Sequence, residues 1–336
     1  MAMNLGITRR RALLLSLGAL AGMGAATVAG GNKQFKAIDD PERDFAVVGA
    51  TPLSDRAAAK GLIYGATSYK QALSLEPEFA ARFAQECAML VPEWDLKWKA
   101  LRPTPDSFDF TIGDWLVKFA RDRNKLVRGH TLVWHEDLPD WFKATVNSKN
   151  AREFLVKHID TVVKHYAGQM HSWDVVNEAI RLEDRRSDGL RKEPWLELLG
   201  PDYIDIAFRA AAEADSKALL VYNDYGLDYD TPKDEAKRTA VLKLLERLKS
   251  NGTPIHALGI QAHLWGEETR FNPKKLRDFL SNVASMGLKI LITEMDVADK
   301  ELPLDITARD RRVAIAYEDY LSTVLKEPAV IAVLIR

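Results

Sequence analysis

Cysteine is nearly absent from this sequence. Cys87 is the only one in 336 residues, so a single chain can form no internal disulfide and no cysteine-based zinc site. Charge of one sign is not in excess either: 47 Lys and Arg stand against 48 Asp and Glu, a formal net charge of −1. That balance gives no general attraction to nucleic acid or an anionic membrane surface, and it leaves a neutral polymer as a compatible ligand. Neither G-x-G-x-x-G nor G-x-x-x-x-G-K-[ST] occurs, which argues against a nucleotide-binding sheet. Low-complexity tracts and close repeats are missing too. What is present is an ordinary globular balance of 47% hydrophobic and 28% charged residues, enough for one large α/β domain or two small ones.

The first 30 residues stand apart. Thr8-Arg9-Arg10-Arg11 precedes a run of Leu, Ala and Gly from Ala12 to Ala29. Basic residues, then a short apolar stretch, then small residues make a secretory signal, here of twin-arginine type, with cleavage expected near Ala29-Gly30. Export to the periplasm or the medium follows. The alternative is a retained membrane anchor, but the run reaches only about 18 residues and is rich in Gly and Ala. Residues 31–55, with Pro41 and Pro52, read as an irregular lead-in, and residues 56–336 as the domain.

From residue 56 onward, short apolar β-prone runs alternate with longer amphipathic segments. The runs are Leu62–Thr67, Met89–Trp94, Leu126–Trp134, Ser172–Glu178, Ala218–Asp224, Ala257–His263, Ile290–Asp296 and Ala329–Ile335. Runs apolar almost throughout suit strands buried on both faces. Between them, Leu155, Ile159, Val162 and Tyr166 share a helical face, as do Val241, Leu244, Leu245 and Leu248, with Asn251-Gly252 as a stop. Thr111 with Asp114 reads as an N-cap pair, and Pro201 as the first turn of a helix carrying Ile204 and Phe208. Eight strands alternating with helices predict a (β/α)8 TIM barrel.

Active residues of such barrels sit at the C-terminal ends of the strands. Here those ends read Glu93-Trp94, His130 to His135, Asn177-Glu178, Asn223-Asp224, Gln261 with His263, and Glu294 with Asp296. One polar strand end is explained by capping the next helix. Six converging on one rim are not, because buried polar groups without partners cost free energy. Glu178 and Glu294 fit the two carboxyl groups that glycoside cleavage with retention requires, one to protonate the leaving oxygen and one to attack the anomeric carbon. Asn177 beside Glu178 suits a sugar 2-hydroxyl, and His263, on the strand before Glu294, is placed to hold that carboxylate ionised. No metal or other cofactor is implied.

These motifs resemble the family 10 glycoside hydrolases, the retaining endo-1,4-β-xylanases, over roughly residues 56–336. Arg128-Gly129-His130-Thr131-Leu132-Val133-Trp134-His135 is similar to that family's third-strand motif. Trp173 to Ala179, Tyr222-Asn223-Asp224-Tyr225, Gln261-Ala262-His263-Leu264 and Thr293 to Asp296 match the fourth to seventh strands. The resemblance implies Glu178 as acid/base and Glu294 as nucleophile. It implies Glu93, Lys97, His130, Trp134, Asn177, Gln261 and His263 as substrate contacts, with Asn223, Tyr225 and Asp296 in support. The expected partners are xylan and xylo-oligosaccharides, acted on by a monomer that binds no nucleic acid and keeps no stable membrane anchor. A retaining hydrolase of another β-1,4-glycan, or an inactive carbohydrate-binding relic, is the alternative.

Three departures stand out. Trp94 replaces the family's asparagine after Glu93, so that subsite is expected to be narrower or to stack a ring. Gly226 stands where an asparagine often follows Tyr225. The sequence stops at Ile335-Arg336, so the barrel is expected to lack its last loop and helix, as in a truncated reading frame, and to expose an apolar seam. Elsewhere Cys87 reads as a core residue, His158 and His165 as surface or packing residues, and Arg185-Arg186 and Arg309 to Arg312 as solvated faces.

Overall fold

The computed structural model describes residues 43, 45 and 49–336, apart from residue 269. The segment read as a secretory signal and most of the lead-in fall outside the described residues. Among the described residues nine strands follow in chain order: β1 (Ile63–Ser68), β2 (Met89–Pro92), β3 (Leu126–Gly129), β4 (Ser172–Asn177), β5 (Leu219–Asp224), β6 (Ala257–Ile260), β7 (His263–Trp265), β8 (Lys289–Ala298) and β9 (Val330–Ile335). All pairings are parallel. Each of β1 to β5 pairs with the next strand, β6 pairs with β8, β8 with β9, and β9 returns to β1. This is a closed eight-stranded ring with helices outside it, a (β/α)8 barrel. β7 lies outside the ring, on the outer half of β8, with His263 opposite Asp296 and Trp265 opposite Ala298.

Alternation along the strands makes two cores. Met89, Val91, Val221, Ala257, Leu291, Ala332 and Leu334 form a small cluster of their own, which fills the inside of the barrel. Their sequence neighbours face the helices in a much larger cluster that includes the helical faces of Leu155, Ile159, Val162 and Tyr166 and of Val241, Leu244, Leu245 and Leu248. Cys87 is buried among them. Gly129 has to be glycine: a Cβ there would come within 2.1 Å of the fully buried Trp173 ring.

Several local readings differ from the structure. The third strand ends at Gly129, and only Val133 bridges back, to Val176. The freed stretch lays His130 and Trp134 over the barrel mouth. The sixth run is split because Ala262 takes φ 58°, and the chain leaves the ladder there. Thr111 begins its helix, but Asp109 accepts from its amide at 2.9 Å while Asp114 pairs with His165 at 2.7 Å. Pro201 lies just before the helix Tyr203–Ala214, whose N-cap position is Asp202, rather than in its first turn. His158, by contrast, is a packing residue as read, fully buried and stacked on Trp98 at 3.7 Å between centroids.

Ala57, Leu62, Tyr64, Leu321, Leu325 and Val333 line an apolar groove between helix Leu53–Ala58 and helix Ile306–Val324. Beside it the lead-in makes an unforeseen contact. Buried Arg43 donates to Glu318 at 2.9 Å and pairs with Asp319, and Arg311 donates to its carbonyl at 3.0 Å.

One glycine connects fold to site. A Cβ on Gly259 would stand 2.3 Å from Asn223 Oδ1 and 3.0 Å from Thr293 Cγ2. Gly259→Ala should therefore cost about 1–3 kcal/mol of stability by overpacking and displace the Asn223 amide. Urea unfolding checks this: a wild-type midpoint would show that the barrel end has slack which this packing denies.

Candidate active site

The polar strand ends converge on one rim. Asn177 and Asn223 are buried at the ends of β4 and β5, and Glu294 is buried within β8. Asn223 Nδ2 donates to Glu294 Oε1 at 2.9 Å and to Asn177 Oδ1 at 3.0 Å. The Thr293 hydroxyl fixes the other end of that amide, donating to Asn223 Oδ1 at 2.7 Å. Gln261 Nε2 donates to Glu178 Oε1 at 3.0 Å and to Asn177 Oδ1 at 3.3 Å, and Asn177 Nδ2 reaches Glu178 Oε1 at 3.3 Å. Three amides thus join the two carboxylates in one network, each amide with its donors and acceptors assigned. Glu178 itself takes φ 58°, a left-handed conformation uncommon for a non-glycine residue. Its amide is held by the Asn223 carbonyl at 2.8 Å, so the surrounding backbone fixes the conformation.

Glu294 is the electrostatic centre. Burial alone would raise its pKa. The attraction of His263, His130 and Arg336 overcomes that and holds it down at about 2. His263 Nε2 lies 3.6 Å from Glu294 Oε2, and its Nδ1 lies 2.9 Å from Asp296 Oδ1. Burial would lower the imidazole, yet Asp296 and Glu294 together push it up to about 10. Glu294 is thus ionised, and paired with a charged imidazole, across the neutral range.

The half of the rim beyond β2 has a different chemistry. Glu93, Lys97, His130, Glu294 and Arg336 line a cleft there. Buried Lys97 stands 4.4 Å from the Trp94 ring centroid and 4.7 Å from that of Trp134, with Asp137 at 3.4 Å. Burial among the rings lowers its pKa, against the opposing pull of Asp137. Trp94, which stands where an amide was expected, is 49% exposed and offers a free ring face beside the lysine. His130 Nδ1 bonds Asp174 Oδ2 at 2.8 Å, and Arg128 pairs with the other oxygen of Asp174 beneath it.

All twelve residues singled out from sequence lie on this one face. Tyr225 accepts from Arg191 at 3.2 Å. Four participants were missed. Arg191 donates to the Glu178 carbonyl at 2.8 Å and sits 3.7 Å from its Oε2. Arg336 donates to Glu294 Oε2 at 2.8 Å and lies 3.8 Å from Glu93. Arg128 and Asp174 form the floor. A charge in each of two adjacent apolar strands signals the last pair, and the strand-end rule reaches Arg336. Arg191 lies in a charged loop with no local signal. Among the described residues, no group of three or more His, Cys, Asp or Glu could hold a metal, and no helix is long and apolar enough to cross a membrane.

A (β/α)8 barrel with two carboxylates joined by amides at the C-terminal ends of its strands defines a glycoside hydrolase type of site. The sequence profile of glycosyl hydrolase family 10 matches residues 52–335, and the chain belongs to that family. A β-1,4-xylanase of Dictyoglomus thermophilum is 41% identical over 213 residues, covering 62% of this chain and 56% of that protein. Endo-1,4-β-xylanase A of Caldicellulosiruptor sp. is 36% identical over 249 residues, 70% of this chain and 35% of that one. The chain thus spans about half and about a third of those two relatives. Among solved structures, xylanase 10B from Thermotoga petrophila in complex with xylobiose superposes with a TM-score of 0.76 at 32% identity, covering 86% of each chain.

The charge pairing at His263 has a measurable consequence. Its folded pKa lies above the unfolded value of about 6.5, so the pairing stabilises the fold fully below that pH and is lost as pH rises toward 10. The melting-temperature gap between wild type and His263→Gln should be widest near pH 6 and narrow by pH 10. A gap that stays constant over that range would remove the charged imidazole from the account.

Proposed function

We propose that this chain is a retaining endo-1,4-β-xylanase that cleaves internal bonds of xylan by double displacement. The observation that carries the reading is the amide network joining Glu178 to an ionised Glu294. In the first step the Glu294 carboxylate attacks the anomeric carbon while Glu178 gives its proton to the glycosidic oxygen. The bond to the leaving sugar breaks and a glycosyl ester forms on Glu294. In the second, the Glu178 carboxylate takes a proton from the water that attacks the same carbon. Glu294 departs as a carboxylate, and the sugar keeps its configuration.

The surrounding residues fit a neutral pentose chain. Asn177 and Gln261 offer amide hydrogens beside the reacting centre, and Lys97, His130 and Glu93 offer hydrogen bonds to hydroxyls further along the cavity. Trp94 and Trp134 present flat rings to flat sugars. Asn223 holds Glu294 while Asp296 holds His263, which keeps the attacking group ionised. The twin-arginine segment at Thr8–Ala29 supports export of the folded enzyme, and nothing in the mouth calls for a second subunit.

Two experiments test this. Incubation with xylan, cellulose and mannan should release reducing ends from xylan far faster than from the others, and release from cellulose but not xylan would overturn the substrate. Glu178→Ala should still turn over aryl xylosides with good leaving groups slowly, with azide restoring the rate and giving a β-xylosyl azide. Glu294→Ala should lose about 10^4-fold or more in kcat with no β-azide product. The opposite azide pattern would reverse the two roles.

A further inference from the structure

β7 contributes nothing to closing the barrel, because β6 pairs directly with β8 from Ala257↔Lys289 to Ile260↔Ile292. What this three-residue rung does is aim side chains. Leu264 is buried on one side. By the two-residue period of a strand, His263 and Trp265 share the other. His263 on that face reaches Glu294 at 3.6 Å. Trp265 therefore stands about 7 Å further out along the same face, beyond the reacting centre. Its side chain is 48% exposed, yet its backbone is fastened: its amide donates to the Tyr229 hydroxyl at 2.7 Å, and the next amide, of Gly266, donates to the Ala298 carbonyl at 2.9 Å. A large ring kept in water on a fixed backbone is a binding surface held ready.

The side of the cleft follows from the order of strands around the ring. Glu178 follows β4, Tyr225 and Tyr229 follow β5, and Trp265 ends β7, so these occupy one half of the rim. Glu93, Trp94 and Lys97 follow β2, on the other half. The proton donor stands on the side of the departing sugar. Resting on the proposed function, we infer that Trp265 is a stacking platform for a xylose unit on the leaving-group side, beyond the first departing sugar. It takes the apolar C–H face of a neutral pyranose and sets the preference for long chains over short ones. Tyr229 positions it through the backbone contact.

The test compares two substrates of the full-length enzyme. Xylohexaose places sugars on both sides of the cut, whereas β-xylobiosyl fluoride places none on the leaving-group side. Trp265→Ala should lower kcat/KM on xylohexaose roughly tenfold and leave xylobiosyl fluoride within twofold of wild type. Trp265→Phe should recover most of the loss, and the melting temperatures of all three should agree. Equal losses on both substrates would mean that Trp265 only supports the fold, and an unchanged xylohexaose rate would mean that no sugar reaches it. Either result overturns the platform. A wild-type enzyme inactive on both substrates would instead overturn the xylanase reading beneath it.

Discussion

An ionised carboxylate held in the mouth of a barrel must be surrounded by donors, because a buried charge without partners costs several kcal/mol. Glu294 meets that demand with Asn223 on one oxygen and His263 and Arg336 on the other. Each donor then needs support. Asn223 is held by Thr293, His263 by Asp296, and Gly259 leaves room for the amide to lie flat. The same network continues through Asn177 to Glu178 and fixes the second carboxylate by its neighbours rather than by direct contact with the first. Pre-set donors of this kind are where a charge-developing reaction gains most, since they need no rearrangement as it proceeds.

The rim also has two unlike halves. Beyond β2 a lysine lies between two indoles, and two acids share an arginine. Beyond β4 to β7 the acid partner is framed by Arg191 and Tyr225, with an exposed indole further out. Cation and hydrogen-bond chemistry thus lies beside two rings on the β2 half, while the other half carries its exposed ring further from the carboxylates. An apolar groove runs along β1 and β9, and the Arg43 contact with Glu318 and Asp319 fastens the lead-in beside it.

Much of this was legible in the sequence, for a physical reason. Strands of a parallel barrel are buried on both faces, so their apolar runs stand out, and a polar residue at the end of such a run has little other explanation. Glu178, Glu294, Asn223, Gln261 and His263 were found that way. Departures came where local pattern carries no information. The run from Leu126 to Trp134 looks like one strand, but only its first four residues form one, and beyond them Val133 alone bridges back because the chain turns to cover the mouth. β7 looked like the end of β6 until the positive φ of Ala262 separated them. Arg43 and Arg191 act through contacts with residues distant in sequence or in a charged loop, where one arginine resembles another. The twin-arginine segment lies beyond the described residues and remains a reading of the sequence.

Two carboxylates sharing one network have a direct stereochemical signature. Proton NMR of the anomeric region, recorded in the first minutes of xylohexaose hydrolysis before mutarotation, reads the configuration at the cut bond. The double-displacement account predicts that the β-anomer of the new reducing end accumulates first. Initial appearance of the α-anomer would mean that water attacks directly, and that Glu294 is not the nucleophile.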